Sequence, residues 1–209
     1  MAEKQEHQIL FSTSMIQAIL ERRKTQTRRV IKPQPFDPDY VKCINDKGTW
    51  VFKSQSEITF WIYGKCPYGQ VGDRLWVRET WASQHKFDHL PPRLIPHDAN
   101  IHYAASENLG GLMHRPSIFL PRWASRLTLE ITDIRVQRLQ EISEDDCESE
   151  GILFTYLKGN PCRVGCNHNA YHELWDSING KTHPWESNPW VWAISFKLLG
   201  GQSDRRTLQ

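Results

Sequence analysis

The chain has 209 residues, a formal net charge of +2, 39% hydrophobic residues and 24% charged residues. That length supports one domain with its own core plus insertions, and the composition is that of a globular chain rather than a disordered or fibrous one. So small a net charge excludes a global field that would by itself capture nucleic acid, and any such role must rest on local clustering. Residues 1–7 are polar and lack the apolar segment of a signal peptide, and no apolar run approaches a membrane span. Five cysteines are an odd number and too sparse for a disulfide scaffold. The expectation is a cytoplasmic, reducing setting with no membrane partner.

In chain order, Gln8–Phe11 reads as a first strand. Met15, Ile16, Ile19 and Leu20 recur at three- and four-residue steps, which predicts a helix over 14–22 with Ser12 or Ser14 as its cap. The run Arg22-Arg23-Lys24-Thr25-Gln26-Thr27-Arg28-Arg29 follows. Cations at a helix C-terminus complement the macrodipole, which accounts for Arg22, Arg23 and Lys24. It does not account for the alternation beyond them. In an extended segment Lys24, Gln26 and Arg28 face one way and Thr25, Thr27 and Arg29 the other. Such a stretch presents cations and hydroxyls to an anionic or polar ligand.

Pro33, Pro35 and Pro38 open an excursion in which Thr49–Phe52 and Ile58–Tyr63 read as a hairpin. Gly72-Asp73 is a turn signal before a strand over Arg74–Trp81, with Leu75, Val77 and Glu79 on one face and Trp76, Arg78 and Thr80 on the other. Residues 82–117 read as a second surface excursion with one strand at Ile101–Ala104. Ser117–Trp123 and Arg126–Ile134 read as strands. Ser143 is a helix N-cap followed by three acids, with Asp146 near the capping-box position and Gly151 as the C′ residue. Glu150 then falls in the last turn, where the helix dipole disfavours its charge. Residues 154–168 read as a loop. Tyr171, Leu174, Trp175 and Ile178 mark an amphipathic helix closed by Gly180. The last strand, Trp190–Lys197, places Trp190, Trp192, Ile194 and Phe196 on one face, and a polar tail follows Gly200.

Cys162, Cys166, His168 and His172 are ligand-type residues in a tight cluster. They read either as a structural zinc site, to which Cys66 or Cys43 can contribute, or as free cysteines in an insertion loop. The spacing is not that of a standard zinc finger. No catalytic metal or other cofactor is expected.

The basic run Arg23–Arg29 and the strand Gly72-Asp73-Arg74-Leu75-Trp76-Val77-Arg78-Glu79 resemble, in this order, the motifs of ASCH-domain proteins of the PUA-like superfamily. The 127–152 segment, Leu174–Ile178 and Asn188-Pro189-Trp190 extend the resemblance, the last two being similar to longer, often prophage-encoded members. It covers roughly residues 8–34, 66–81, 117–152 and 171–198. It implies an α+β fold, a PUA-like β-barrel with flanking helices, in a single domain over 1–209 with insertions at about 35–65 and 82–116 and a tail at 200–209. The small bacterial 4-acetylcytidine amidohydrolases of this family have a similar basic run. On that resemblance Lys24 matches the catalytic lysine, Thr27 the nucleophilic threonine and Glu150 the catalytic glutamate.

The implied activity is removal of an acyl group from N4-acylated cytidine, as nucleoside or in RNA. Either Thr27 or an activated water is the nucleophile. Arg23, Thr25, Arg28 and Arg29 of the basic run, and Trp76, Arg78 and Glu79 of the strand, are the substrate-contact candidates. The alternative is a non-catalytic RNA- or DNA-binding module, or a ribonuclease-like ASCH protein. Its cations would bind phosphates, and Trp76, Trp81 or Trp123 would stack on a base. A plainer reading makes Lys24 and Glu150 a surface ion pair, Thr27 a strand residue and Glu79 a paired strand-end charge. Arg22 departs from the pattern, since a glycine is expected to close the first helix there.

Overall fold

The computed structural model describes residues 4–34, 40–43, 49–53, 60–152 and 166–200. The chain is α+β, with more strand than helix. Strand β1 (Glu6–Leu10) leads into helix α1 (Thr13–Leu20) and strand β2 (Gln26–Val30). Ser12 is the cap of α1, its Oγ accepting from the Met15 amide at 3.4 Å. Ile16, Ala18 and Ile19 form its buried face, and each isoleucine contributes about 1.5–3 kcal/mol of burial. The helix ends earlier than its apolar spacing predicts because Arg22 adopts φ +60°.

The main sheet has five strands in the order β1-β6-β9-β10-β2. Strand β6 spans Arg74–Arg78, β9 Thr128–Arg138 and β10 Trp190–Leu199. Strand β1 pairs parallel with β6 and the other pairs are antiparallel. Leu75 and Val77 are fully buried beneath Ile9, Leu129, Ile131 and the Trp190, Trp192, Ile194 and Phe196 face of β10. Those four β10 residues share one core, as the alternation predicts. The sheet does not close into a barrel: β1 and β2 are its edges. Helix α1 joins them, and the Arg29 Nη2 of β2 donates to the Leu10 carbonyl of β1 at 2.6 Å. A helix and a side chain thus bridge the gap that barrel closure would fill with backbone hydrogen bonds.

The two excursions carry small sheets of their own. The first is a three-stranded antiparallel sheet, β3 (Tyr40–Cys43), β4 (Thr49–Lys53) and β5 (Phe60–Lys65), rather than a hairpin alone. The second holds β7 (Trp81–Ser83) paired with β8 (Ile101–Tyr103) over a core of Trp81, Ile95, Ala99, Leu120 and Ala124. The strand expected over 74–81 therefore ends at Arg78. The strand expected over 117–123 is instead two single 3-10 turns, Ser117–Phe119 and Arg122–Ala124. Pro116 and Pro121 precede them with φ of -56° and -74°, each starting a turn.

Helix α2 (Glu144–Ser149) and helix α3 (Cys166–Asn179) pack through Cys147, Tyr171 and Trp175 on Leu139, Ile142, Trp185 and Val191. Ser143 caps α2, accepting from the Asp146 amide at 3.1 Å. Helix α3 begins at Cys166, so part of the expected 154–168 loop is helical. Among the described residues no helix is long and apolar enough to cross a membrane. Of the expected polar tail, only Gly200 is among the described residues.

Candidate functional site

Two helix C-termini build the site, and both close the same way. At the end of α1 the Arg22 amide donates to the Ile19 carbonyl (3.0 Å) and the Arg23 amide to the Ala18 carbonyl (2.9 Å). At the end of α2 the Gly151 amide donates to Glu148 (2.8 Å) and the Ile152 amide to Cys147 (3.3 Å). Each is a Schellman closure, with its C′ residue in the left-handed region: Arg22 at φ +60° and Gly151 at φ +90°. The closure turns the chain sharply, placing Lys24 just after one helix and Glu150 at the C-cap of the other. The Thr25 amide donates to the Ser149 carbonyl at 2.8 Å, and the Thr25 carbonyl accepts from Phe196 at 2.8 Å, fastening the two ends to β10.

Lys24 and Glu150, 126 positions apart, meet at 2.6 Å between Nζ and Oε2. The Lys24 Nζ also donates to the Glu150 carbonyl at 2.8 Å, a cation against a helix C-terminus. The other carboxylate oxygen, Oε1, accepts from Arg28 Nη1 at 3.2 Å and from Tyr171 Oη at 3.4 Å. Arg28 Nη2 donates to Asp146 Oδ2 at 2.7 Å, and Gln26 bridges Arg28, Asp146 and Ser195. Arg135 closes the network on Asp146 at 3.1 Å. The pair is no surface salt bridge: the Lys24 and Arg28 side chains are 0% exposed and that of Glu150 4%. The Lys24 ammonium lies 5.7 Å from the Phe11 ring centroid, over the same ring as Arg29.

Burial drives the electrostatics. It lowers the Lys24 pKa below the ordinary 10.5; Glu150 opposes the shift, and Arg29 and Arg28 add to it. Burial also pushes the Tyr171 hydroxyl well above 10, with the neighbouring Glu150 carboxylate in the same direction. At Asp146 burial pushes upward, but Arg28 and Arg135 outweigh it and hold the carboxyl below 3.8. The result is an amine whose charged form burial disfavours, beside a carboxylate and a phenol that burial keeps protonated. Such a set can take a proton from one group and deliver it to another.

Thr27 is 1% exposed, on β2 opposite Ile194. It lines a narrow cleft with Glu150, Arg28, Tyr171, Leu174 and Ile178. Its hydroxyl makes no hydrogen bond with another described residue. The cleft holds about 20 Å³, room for one water. Ile178, expected on the buried face of α3, is 54% exposed at the rim. A larger pocket of about 360 Å³ adjoins, sharing Arg28, Arg29 and Asn179 with the cleft.

The remaining candidates divide. Arg23 is held by Glu21 at 2.7 Å and donates to the Gly151 carbonyl at 3.0 Å, so it braces the α2 closure. The Thr25 side chain is exposed and only its backbone takes part. Glu79 is 1% exposed and bound through both oxygens by Arg126 at 2.9 Å, which makes it a structural charge rather than a substrate contact. Arg78 binds Gln8 at 2.6 Å and the Ile118 carbonyl. Trp76 lies beneath the Arg78 and Arg122 guanidinium groups, Trp81 is 0% exposed, and Trp123 stacks on His97 at 5.0 Å. Trp81 is thus closed to a base, and Trp76 and Trp123 each already carry a cation or an imidazole over the ring.

For the zinc reading, Cys162 lies outside the described residues, and Cys166, His168 and His172 lie on α3. The His168 Nε2 donates to the Ile142 carbonyl at 2.7 Å, and His172 Nε2 faces Asp176 at 3.1 Å, so each ring already spends that nitrogen on the protein. Cys66 is in the core, and burial pushes its thiol up to about 12, away from the thiolate a metal needs. No group of three or more His, Cys, Asp or Glu suited to a metal ion occurs among the described residues.

Three contributors escaped the sequence reading: Tyr171, Gln26 and Asp146. Asp146 sits one helical turn before Glu150, so both carboxylates share a face of α2, a spacing visible in the sequence. Gln26 lies between Lys24 and Arg28 in the alternation. No protein-family model, curated protein or solved structure matches the chain.

Proposed function

We propose that this chain is an ASCH-type, PUA-like domain that hydrolyses the N4-acyl amide of an acylated cytidine. The observation that carries the reading is the buried 2.6 Å contact between Lys24 and Glu150. It unites the two segments on which the resemblance to the 4-acetylcytidine amidohydrolases rests. A lysine sealed from water and flanked by arginines is costly to bury even when paired, and groups perturbed in this way cluster at functional sites.

The residues support the following sequence. The reactive form is the neutral Lys24 amine beside the Glu150 carboxylate, Lys24 having given its proton to solvent. The amine takes a proton from a water in the cleft, or from the Thr27 hydroxyl, as that oxygen bonds to the acyl carbon. Arg28, whose Nε has no partner, faces the charge that develops on the carbonyl oxygen. The carbon–N4 bond then breaks, and N4 takes the proton that Lys24 has gained, relayed through Glu150. With water as nucleophile the products are a carboxylate and cytidine. With Thr27, an ester forms and a second water cleaves it. Tyr171 keeps its proton and holds Glu150 in place.

The test is release of cytidine from 4-acetylcytidine, as nucleoside and within RNA, followed by chromatography. Lys24→Met, which fills the same space without a base, abolishes release in a folded protein; release near the wild-type rate overturns the scheme. One observation favours a binding module without catalysis: the cleft at Thr27 and Glu150 accommodates a water and little more. On that reading neither substrate turns over, while RNA or DNA binds and is released by salt.

A further inference from the structure

The pocket of about 360 Å³ next to the Lys24–Glu150 site has a distinct chemistry. Its lining includes Arg28, Arg29, Lys32 and Lys65, with no carboxylate among the lining residues. Lys32 and Lys65 are exposed and have no hydrogen-bond or ion-pair partner among the described residues. Arg28 is buried, and its Nε is a donor without an acceptor. Of these cations Arg28 is matched by Asp146 and Glu150, whereas Lys32 and Lys65 face the pocket without an acid among its lining residues. Like charges gathered without a counter-ion repel one another and favour an anion between them.

The rest of the wall is not that of a bare anion site. Tyr68 supplies aromatic surface above the buried Trp192, and Thr182 and His183 supply polar edges. The volume is in the range of small-molecule sites, far beyond what a lone phosphate fills. We propose that this pocket binds a nucleoside monophosphate, its phosphate held by Lys32 and Lys65 and its nucleoside against Tyr68. The identity of the base as cytosine rests on the proposed function; the anion site rests on the pocket itself. The acyl-bearing N4 would then face Arg28, the residue common to pocket and cleft. The substrate is accordingly bound more tightly as a nucleotide than as a free nucleoside.

The experiment is calorimetric titration of the full chain with cytidine 5′-monophosphate, cytidine and inorganic phosphate, at low and moderate salt. The monophosphate is expected to bind at least about tenfold more tightly than either fragment, and to weaken as salt rises. The Lys32→Gln and Lys65→Gln variants, both at exposed positions, each lose about tenfold for the monophosphate and little for cytidine. Equal affinity for cytidine and its monophosphate overturns the proposal, as does monophosphate binding unchanged in both variants. Inorganic phosphate binding as tightly as the nucleotide overturns the nucleotide assignment. If the monophosphate binds as described while 4-acetylcytidine is not hydrolysed, the pocket stands and the amidohydrolase reading falls. Hydrolysis of the nucleoside with no gain from a 5′-phosphate gives the converse.

Discussion

Gly151 is the position where a single methyl group should damage both stability and the site. Its φ is +90°, and a Cβ built there would lie 3.0 Å from the Lys24 Cβ and 3.1 Å from the Ala18 Cβ. Neither neighbour is the free end of a flexible side chain, so relief requires the backbones of α1 and α2 to part. The conformational penalty for alanine in the left-handed region is about 1–2 kcal/mol, and the crowding adds about 1–3 kcal/mol. Gly72 separates the two contributions. Its φ is +92°, almost the same, and a methyl group placed there would have nothing within 4 Å. Gly72→Ala should therefore cost about 1–2 kcal/mol and Gly151→Ala about 2–5 kcal/mol. Urea denaturation at constant m-value measures both. Gly151→Ala should also lengthen the Lys24–Glu150 contact and depress any turnover, whereas Gly72→Ala should leave turnover intact. Equal destabilisation by the two substitutions would refute the packing of Lys24 against the α2 closure.

Two further outcomes follow from the same geometry. Arg22 is exposed and occupies a left-handed C′ position, so Arg22→Gly should stabilise the protein by about 0.5–1 kcal/mol. Thermal unfolding should show a rise of about 1–4 °C, and a fall would contradict the assigned closure. Asp146 has a folded pKa below its unfolded value of 3.8. Its contribution is complete above 3.8 and is lost as pH falls through the lower, folded value. Asp146→Asn should therefore lose stability less steeply than the wild type across that acid window, and parallel profiles would contradict the Arg28–Asp146 pairing.

Much of the framework was legible because single elements carry strong local signals. The Ser143 cap and Gly151 stop delimit α2, and the alternation in β10 predicts the shared core of Trp190, Trp192, Ile194 and Phe196. The expected glycine at Arg22 coincides with a positive φ, so the departure in residue type did not change the turn. What failed depends on partners distant in sequence. Whether a sheet closes is decided by the pairing of its edges, and here α1 and Arg29 span them. Residues 117–123 look apolar enough for a strand, but Pro116 and Pro121 impose turns. Glu79 and Trp76 sit on the strand that was expected to line the site, yet Arg126 occupies the first and Arg78 and Arg122 the second. Their partners lie 40 or more positions away except Arg78, and spacing alone does not reveal them. The alternation Lys24, Gln26, Arg28 did identify the side of the segment that meets α2.

The amide-hydrolysis proposal stands or falls on Lys24, lowered in pKa by burial, acting as the base. The decisive measurement is the rate of cytidine release from 4-acetylcytidine as a function of pH. The rate is expected to climb with pH as Lys24 loses its proton, with a midpoint below the ordinary lysine value of 10.5. In Glu150→Gln, where the carboxylate that raises the Lys24 pKa is gone, any residual activity should climb at a lower pH still. Absence of release at every pH, or a profile unchanged in Lys24→Met, would contradict the role assigned to Lys24.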